Sequence, residues 1–148
     1  MTVFRHFPTK EDLVVADDFD GILVSRLREA DPKQELAARI TRVLLRSLAT
    51  AGDAAHRDMF LRLDLTSRTP SLRARMWEIL QRTQVAIVDG VVREGADRFR
   101  ASVVASACLA ALSTAMFAWA AGGGEGDPTK WARRAFGAMG VTPDRRKK

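Results

Sequence analysis

Residues 101–124 contain no charged side chain, and this run limits what the chain can fold into more than any other feature. It is long enough to cross a bilayer. Between Ala101 and Ala121, however, nine residues are alanine and four are Ser or Thr, so the drive into lipid is weak. Small side chains instead let two helices approach closely. Apolar groups occur all round the helix, with Val104, Cys108 and Ala111 on one side and Leu109, Leu112, Met116 and Trp119 spread over the others. A helix that is apolar on every side is buried on every side. In a chain of 148 residues this predicts one face on the chain's own core and another on a second copy, with no membrane as partner. Val104, Cys108, Ala111 and Ala115 of this helix, with Trp131 and Phe136 of the last one, are the candidate dimer contacts. Two helices from each subunit would form a four-helix bundle.

The length fits one domain. Hydrophobic residues at 47% and charged residues at 28% describe a globular composition and exclude a disordered one. Cys108 stands alone, which excludes a disulfide within the chain. With only His6 and His56 to assist it, a cysteine-rich zinc site is excluded as well. The chain carries 24 basic against 18 acidic residues. Most of that excess is the basic tail at residues 144–148, so a chain-wide nucleic-acid footprint is not expected. No basic start leads into an apolar segment at the N-terminus, which makes the cytoplasm the default location.

Apolar spacing of three and four residues predicts an all-α fold of about six helices. Thr9, with Asp12 three residues on, caps a first helix over residues 9–29, with Leu13, Ala16, Phe19, Leu23 and Leu27 as its stripe. Asp31-Pro32 ends it and is expected to begin the next, whose buried face is Leu36, Ile40, Val43, Leu44 and Leu48. Gly52-Asp53 breaks that helix, and a shorter one carries Met59, Phe60, Leu63 and Leu65. Thr69-Pro70 opens a long helix, stopped at Gly95-Ala96-Asp97. The alanine-rich helix follows, ended by Gly122, Gly123 and Gly124. Asp127-Pro128 starts the last, with Trp131, Ala135, Phe136 and Met139 on one side.

No catalytic or metal site is expected, and no cofactor. Cys108 sits in a helix interior far from any acid or base in sequence, the setting of an inert thiol. The histidines lack ligand spacing. The three glycines follow a helix, whereas a phosphate-binding loop leads into one from a strand.

Residues 2–13 read Thr-Val-Phe-Arg-His-Phe-Pro-Thr-Lys-Glu-Asp-Leu. This resembles the signature that closes the DNA-binding domain of TetR-family transcriptional regulators, where an aromatic-x-His-Phe turn ends the recognition helix and x-x-Lys-x-x-Leu opens the fourth helix. The helix order that follows is similar to the same family's regulatory domain. Residues 17–21, residues 69–75 and Trp119 resemble the bacterial branch whose C-terminal domain takes acyl-CoA-like ligands.

The resemblance implies that the positions Thr2, Phe4, His6 and Lys10 approach the DNA backbone, where a helix N-terminus and a lysine meet phosphate. Phe4 stands where the family often has tyrosine. A helix-turn-helix needs a first helix to brace the second, so residues 1–8 are only the remnant of a reading head. Operator DNA is therefore an expected partner only if a DNA-binding segment lies upstream.

Residues 9–143 form the expected ligand-binding and dimerisation domain. Its pocket among the middle helices would be lined by Met59, Phe60, Leu63, Met76, Trp77, Leu80, Met116 and Phe117. Met and aromatic side chains suit a small apolar or acyl-type ligand. Arg57, Arg62, Arg73 and Arg75 offer an anionic head group bidentate pairing, or else form a solvated face with Asp58, Asp64 and Glu78. The implied function is a ligand-responsive regulator, a repressor, in which the ligand biases the helix over residues 9–29. The alternative is a headless dimeric protein of the same fold that binds a small molecule and no DNA.

Overall fold

The computed structural model describes residues 19–142, and the DNA-contact candidates Thr2, Phe4, His6 and Lys10 lie outside them. Six helices make up the described chain: α1 Phe19–Glu29, α2 Leu36–Ala49, α3 Gly52–Arg68, α4 Pro70–Arg93, α5 Arg98–Ala121 and α6 Pro128–Ala138. No strand occurs among the described residues. The alanine-rich α5 is the hub, touching α2, α3, α4 and α6, while α1 lies across α2 and α4. Leu23 and Leu27 of α1, Ile40 and Leu44 of α2, Ile87 and Val91 of α4, Cys108 and Trp119 of α5 and Phe136 of α6 share one core. Burying each of the large aliphatic ones contributes about 1.5–3 kcal/mol relative to exposure.

Most helix boundaries follow local chemistry that is readable in the sequence. Asp97 caps α5 by accepting from the Arg100 amide at 2.8 Å. Asp127 caps α6, accepting from the Thr129 amide at 2.8 Å and from its hydroxyl at 2.6 Å. The hydroxyl bond is the main reason that the Asp127 carboxyl is held below its ordinary value. Pro70 sits in the first turn of α4, where it has no amide to lose.

The start of α2 differs from expectation. Asp31 does not cap a helix; its carboxylate accepts from the Lys33 amide at 2.9 Å and its carbonyl from the Gln34 amide at 3.2 Å. That turn uses up the acceptor, and Pro32 lies outside the helix. Helix α2 begins at Leu36, where the Glu35 carboxylate accepts from the Ala38 amide at 2.9 Å. The helix expected to be short, α3, runs for 17 residues. It begins directly at Gly52, whose φ of 77° lets the chain reverse out of α2.

Within the single chain α5 is buried on one flank only. Ala101, Ala105, Cys108, Leu109, Ala115, Met116 and Trp119 face the core. The opposite flank leaves Phe99 78% and Val103 52% exposed, with Ser106, Ala107, Ala110 and Thr114 also exposed. By length and composition α5 is apolar enough to cross a membrane. Its buried flank packs against α2, α3, α4 and α6.

Burial pushes the Cys108 thiol up to about 12, and the negative charge of Glu35 adds to this. The thiolate is the nucleophile, so native chain at pH 8 should resist iodoacetamide and react fully once unfolded, as mass spectrometry would show. The sign of the linkage also follows. A thiol whose folded value exceeds its unfolded one contributes stability below the unfolded value of 9.0, and that stability falls as pH rises beyond it.

Candidate ligand site

A cleft of about 300 Å³ opens where the start of α3 meets the end of α5 and the glycine-rich loop before α6. Asp53, His56, Arg57 and Phe60 of α3 line one side; Trp119 and the glycines of the loop line the other. Trp119 is only 2% exposed. Its indole N–H donates to the Glu125 carbonyl at 3.1 Å, which ties the loop down over the helix end. The Phe60 ring stands edge-on to it, with centroids 6.2 Å apart at 80°, a favourable aromatic arrangement.

Gly124 is required at its position for two reasons. Its φ is +68°, and a Cβ built there would lie 2.3 Å from Phe60 Cδ2. Gly124→Ala should therefore lower stability by about 1–3 kcal/mol through backbone strain and overpacking. Thermal unfolding would register this as a lower Tm, and Gly123→Ala, where a Cβ meets no atom within 4 Å, separates strain from clash.

The back of the cleft is fastened to the rest of the bundle. His56 Nε2 donates to the Leu48 carbonyl at 2.9 Å, near the end of α2. Arg26 of α1 reaches the same helix end, donating to the Ser47 hydroxyl at 3.0 Å and the Thr50 hydroxyl at 3.1 Å. A hydrogen-bonded path thus runs from the cleft through the last turn of α2 to α1.

The pocket residues expected from sequence fall into two groups. Leu63 and Met116 are core, with Met59, Phe60 and Phe117 packed partly buried against it. Met76 and Leu80 are half-buried on α4, and Trp77 points outward, 64% exposed. Among the expected dimer contacts, Cys108, Ala115 and Phe136 are enclosed within the single chain. Val104, Ala111 and Trp131 are half-buried. The open flank of α5 carries Phe99 and Val103 instead, which the sequence reading did not single out. Beyond Arg100 no charged residue marks the outward side of α5, so periodicity alone could not set its phase.

Of the four arginines considered for an anionic head group, three are engaged. Arg62 pairs with Asp58 at 2.8 Å and Arg75 with Glu78 at 2.5 Å, while Arg73 donates to the Ser67 carbonyl at 2.8 Å. Arg57 faces the cleft. Sequence reasoning placed His56 on the surface and passed over Asp53, because neither stands in a recognisable ligand spacing. Among the described residues no group of His, Cys, Asp and Glu has metal-holding geometry.

The described residues form an all-helical bundle packed on one flank of the alanine-rich α5, with a cleft at the end of that helix. Residues 34–141 match the family described as the MftR C-terminal domain, and the chain belongs to this family of TetR-type regulatory domains. No curated protein and no solved structure matches the chain. Membership points to a ligand-responsive transcriptional regulator and not to an enzyme.

Proposed function

We propose that this chain is the sensing and dimerising part of a TetR-type repressor, cytoplasmic, that responds to a small apolar or acyl-type ligand. The observation that carries this reading is the open flank of α5. A helix with an uncharged run of residues 101–124 presents Phe99, Val103, Ala107 and Ala110 to solvent in the single chain. An exposed apolar face of this kind is what a second copy covers. Helix α6 packs beside α5 and carries half-buried Trp131, over which the Arg134 guanidinium stands at 5.2 Å. Two copies of the α5–α6 pair make the expected four-helix bundle.

The ligand reading is supported by Met59, Phe60, Leu63, Met116 and Phe117, brought together by α3 and α5. Soft and aromatic side chains adapt to apolar guests. A ligand lodged among α3, α4 and α5 would bias α1, which lies against α4 and connects the sensor to the segment carrying Thr2, Phe4, His6 and Lys10. For regulation, the ligand and the operator must favour different poses of α1.

Native mass spectrometry of the purified chain tests the reading. The expected result is a species of two copies, with an apolar small molecule retained in part of the population. A single copy at micromolar concentration would overturn the dimer.

A further inference from the structure

We propose that the cleft at the start of α3 is a second, polar ligand site, one that takes a small zwitterion of the α-amino-acid class with an apolar side chain. The inference goes beyond the apolar ligand discussed above and shares only Phe60 with it.

The argument starts from three Asp–Arg pairs on one helix. Asp53 and Arg57, Asp58 and Arg62, and Asp64 and Arg68 each stand four residues apart on α3, the spacing at which opposite charges on a helix meet. The second pair is closed at 2.8 Å and the third at 2.7 Å. The first is not closed. Asp53 and Arg57 make no ion pair with each other or with another side chain among the described residues. These two are also the charged α3 residues that line the cleft. The same sequence device therefore closes on itself twice and stays open where it borders the cleft.

An open pair of opposite charges over a cleft presents one acceptor and one fork of donors to the same guest. Arg57 suits a carboxylate, which it binds bidentately. Asp53 suits an ammonium. Cβ atoms four residues apart on a helix are about 5–6 Å apart, so the two side chains converge on groups as close as the ammonium and carboxylate of an α-amino acid. A plain anion would leave Asp53 facing it, and a plain cation would face Arg57. The wall below is Phe60, held edge-on to Trp119, which gives an apolar side chain a surface to cover. The volume of about 300 Å³ lies at the lower end of small-molecule sites.

Isothermal titration of the full chain with L-phenylalanine and L-leucine tests this, with phenethylamine and 3-phenylpropanoate as the analogues lacking carboxylate and ammonium. The expected result is saturable binding of at least one amino acid with a Kd of about 1 mM or tighter. Each truncated analogue should bind at least about tenfold more weakly, as expected when a polar partner is left unpaired. Arg57→Gln should remove the advantage of L-phenylalanine over phenethylamine, and Asp53→Asn its advantage over 3-phenylpropanoate. Both residues are exposed, so circular dichroism should show both variants folded. Lack of saturable binding by both amino acids, binding of 3-phenylpropanoate equal to L-phenylalanine, or unchanged affinity in both variants overturns the proposal. None of these outcomes bears on whether the chain is a dimer, which the native mass spectrum reads separately.

Discussion

Glu94→Ala is expected to destabilise the chain by about 2–3 kcal/mol, and Arg39→Met by less than about 1 kcal/mol, because removing one partner of a buried pair strands the other charge whereas replacing the buried cation removes the problem. Arg39 is 3% exposed and Glu94 29%. The guanidinium donates to both Glu94 oxygens and to the Leu27 carbonyl in the last turn of α1. Its Nε is buried with no partner, a cost that methionine does not carry. Methionine fills similar volume, and the Leu27 carbonyl still accepts from the Ala30 amide at 3.3 Å. The partial exposure of Glu94 lowers the penalty of its loss below that of a fully buried pair. Urea unfolding of both variants and of the double variant checks the ordering, and a larger loss for Arg39→Met than for Glu94→Ala would sink it. The latch matters for function because it joins the last turn of α1, the start of α2 and the C-terminal cap of α4, so the pose of α1 is fixed by a contact to the helix beneath the expected ligand.

How much of this was legible depended on whether local chemistry or tertiary packing decides. Asp97, Asp127 and Pro70 announce helix starts because their effects act within a turn. Asp31 misled for the same reason: it is a good cap for a turn as well as for a helix, and only the competition with Glu35 settles which. The apolar positions Leu23, Leu27, Ile40, Leu44 and Val91 were legible as core because polar neighbours mark the other side of their helices. On α5 that contrast is missing. Cys108 and Ala115 were expected at a subunit boundary and are enclosed in the chain's own core, while Phe99 and Val103 were passed over and stand exposed. Phe60 and Arg57 were named from sequence as ligand contacts, but the cleft itself was not readable, since Gly124, Phe60 and Asp53 meet only through the packing of α3 on the end of α5. The resemblance at residues 2–13 led to the right family, although the match that places the chain there covers residues 34–141.

Val103→Glu is expected to turn the proposed dimer into a monomer at micromolar concentration while leaving the fold intact. Val103 is 52% exposed in the single chain, so a carboxylate there meets water in the isolated subunit, and a surface change of this kind stays within about 0.5 kcal/mol of neutral. In a two-fold pair the same patch faces its own copy. One substitution then brings two carboxylates into an apolar, alanine-rich contact; Arg100, three residues away, is 68% exposed and lies 4.0 Å from Glu35, so it offsets only part of a cost of several kcal/mol. Leu61→Glu is the matched control: Leu61 is 59% exposed, equally apolar and outward-facing, but it belongs to α3 and not to the α5–α6 face. Light scattering coupled to size exclusion should give one copy for Val103→Glu and two for Leu61→Glu, with unchanged helical content in both. Should Val103→Glu stay dimeric, or should both variants fall apart alike, the open flank of α5 is not where two copies meet.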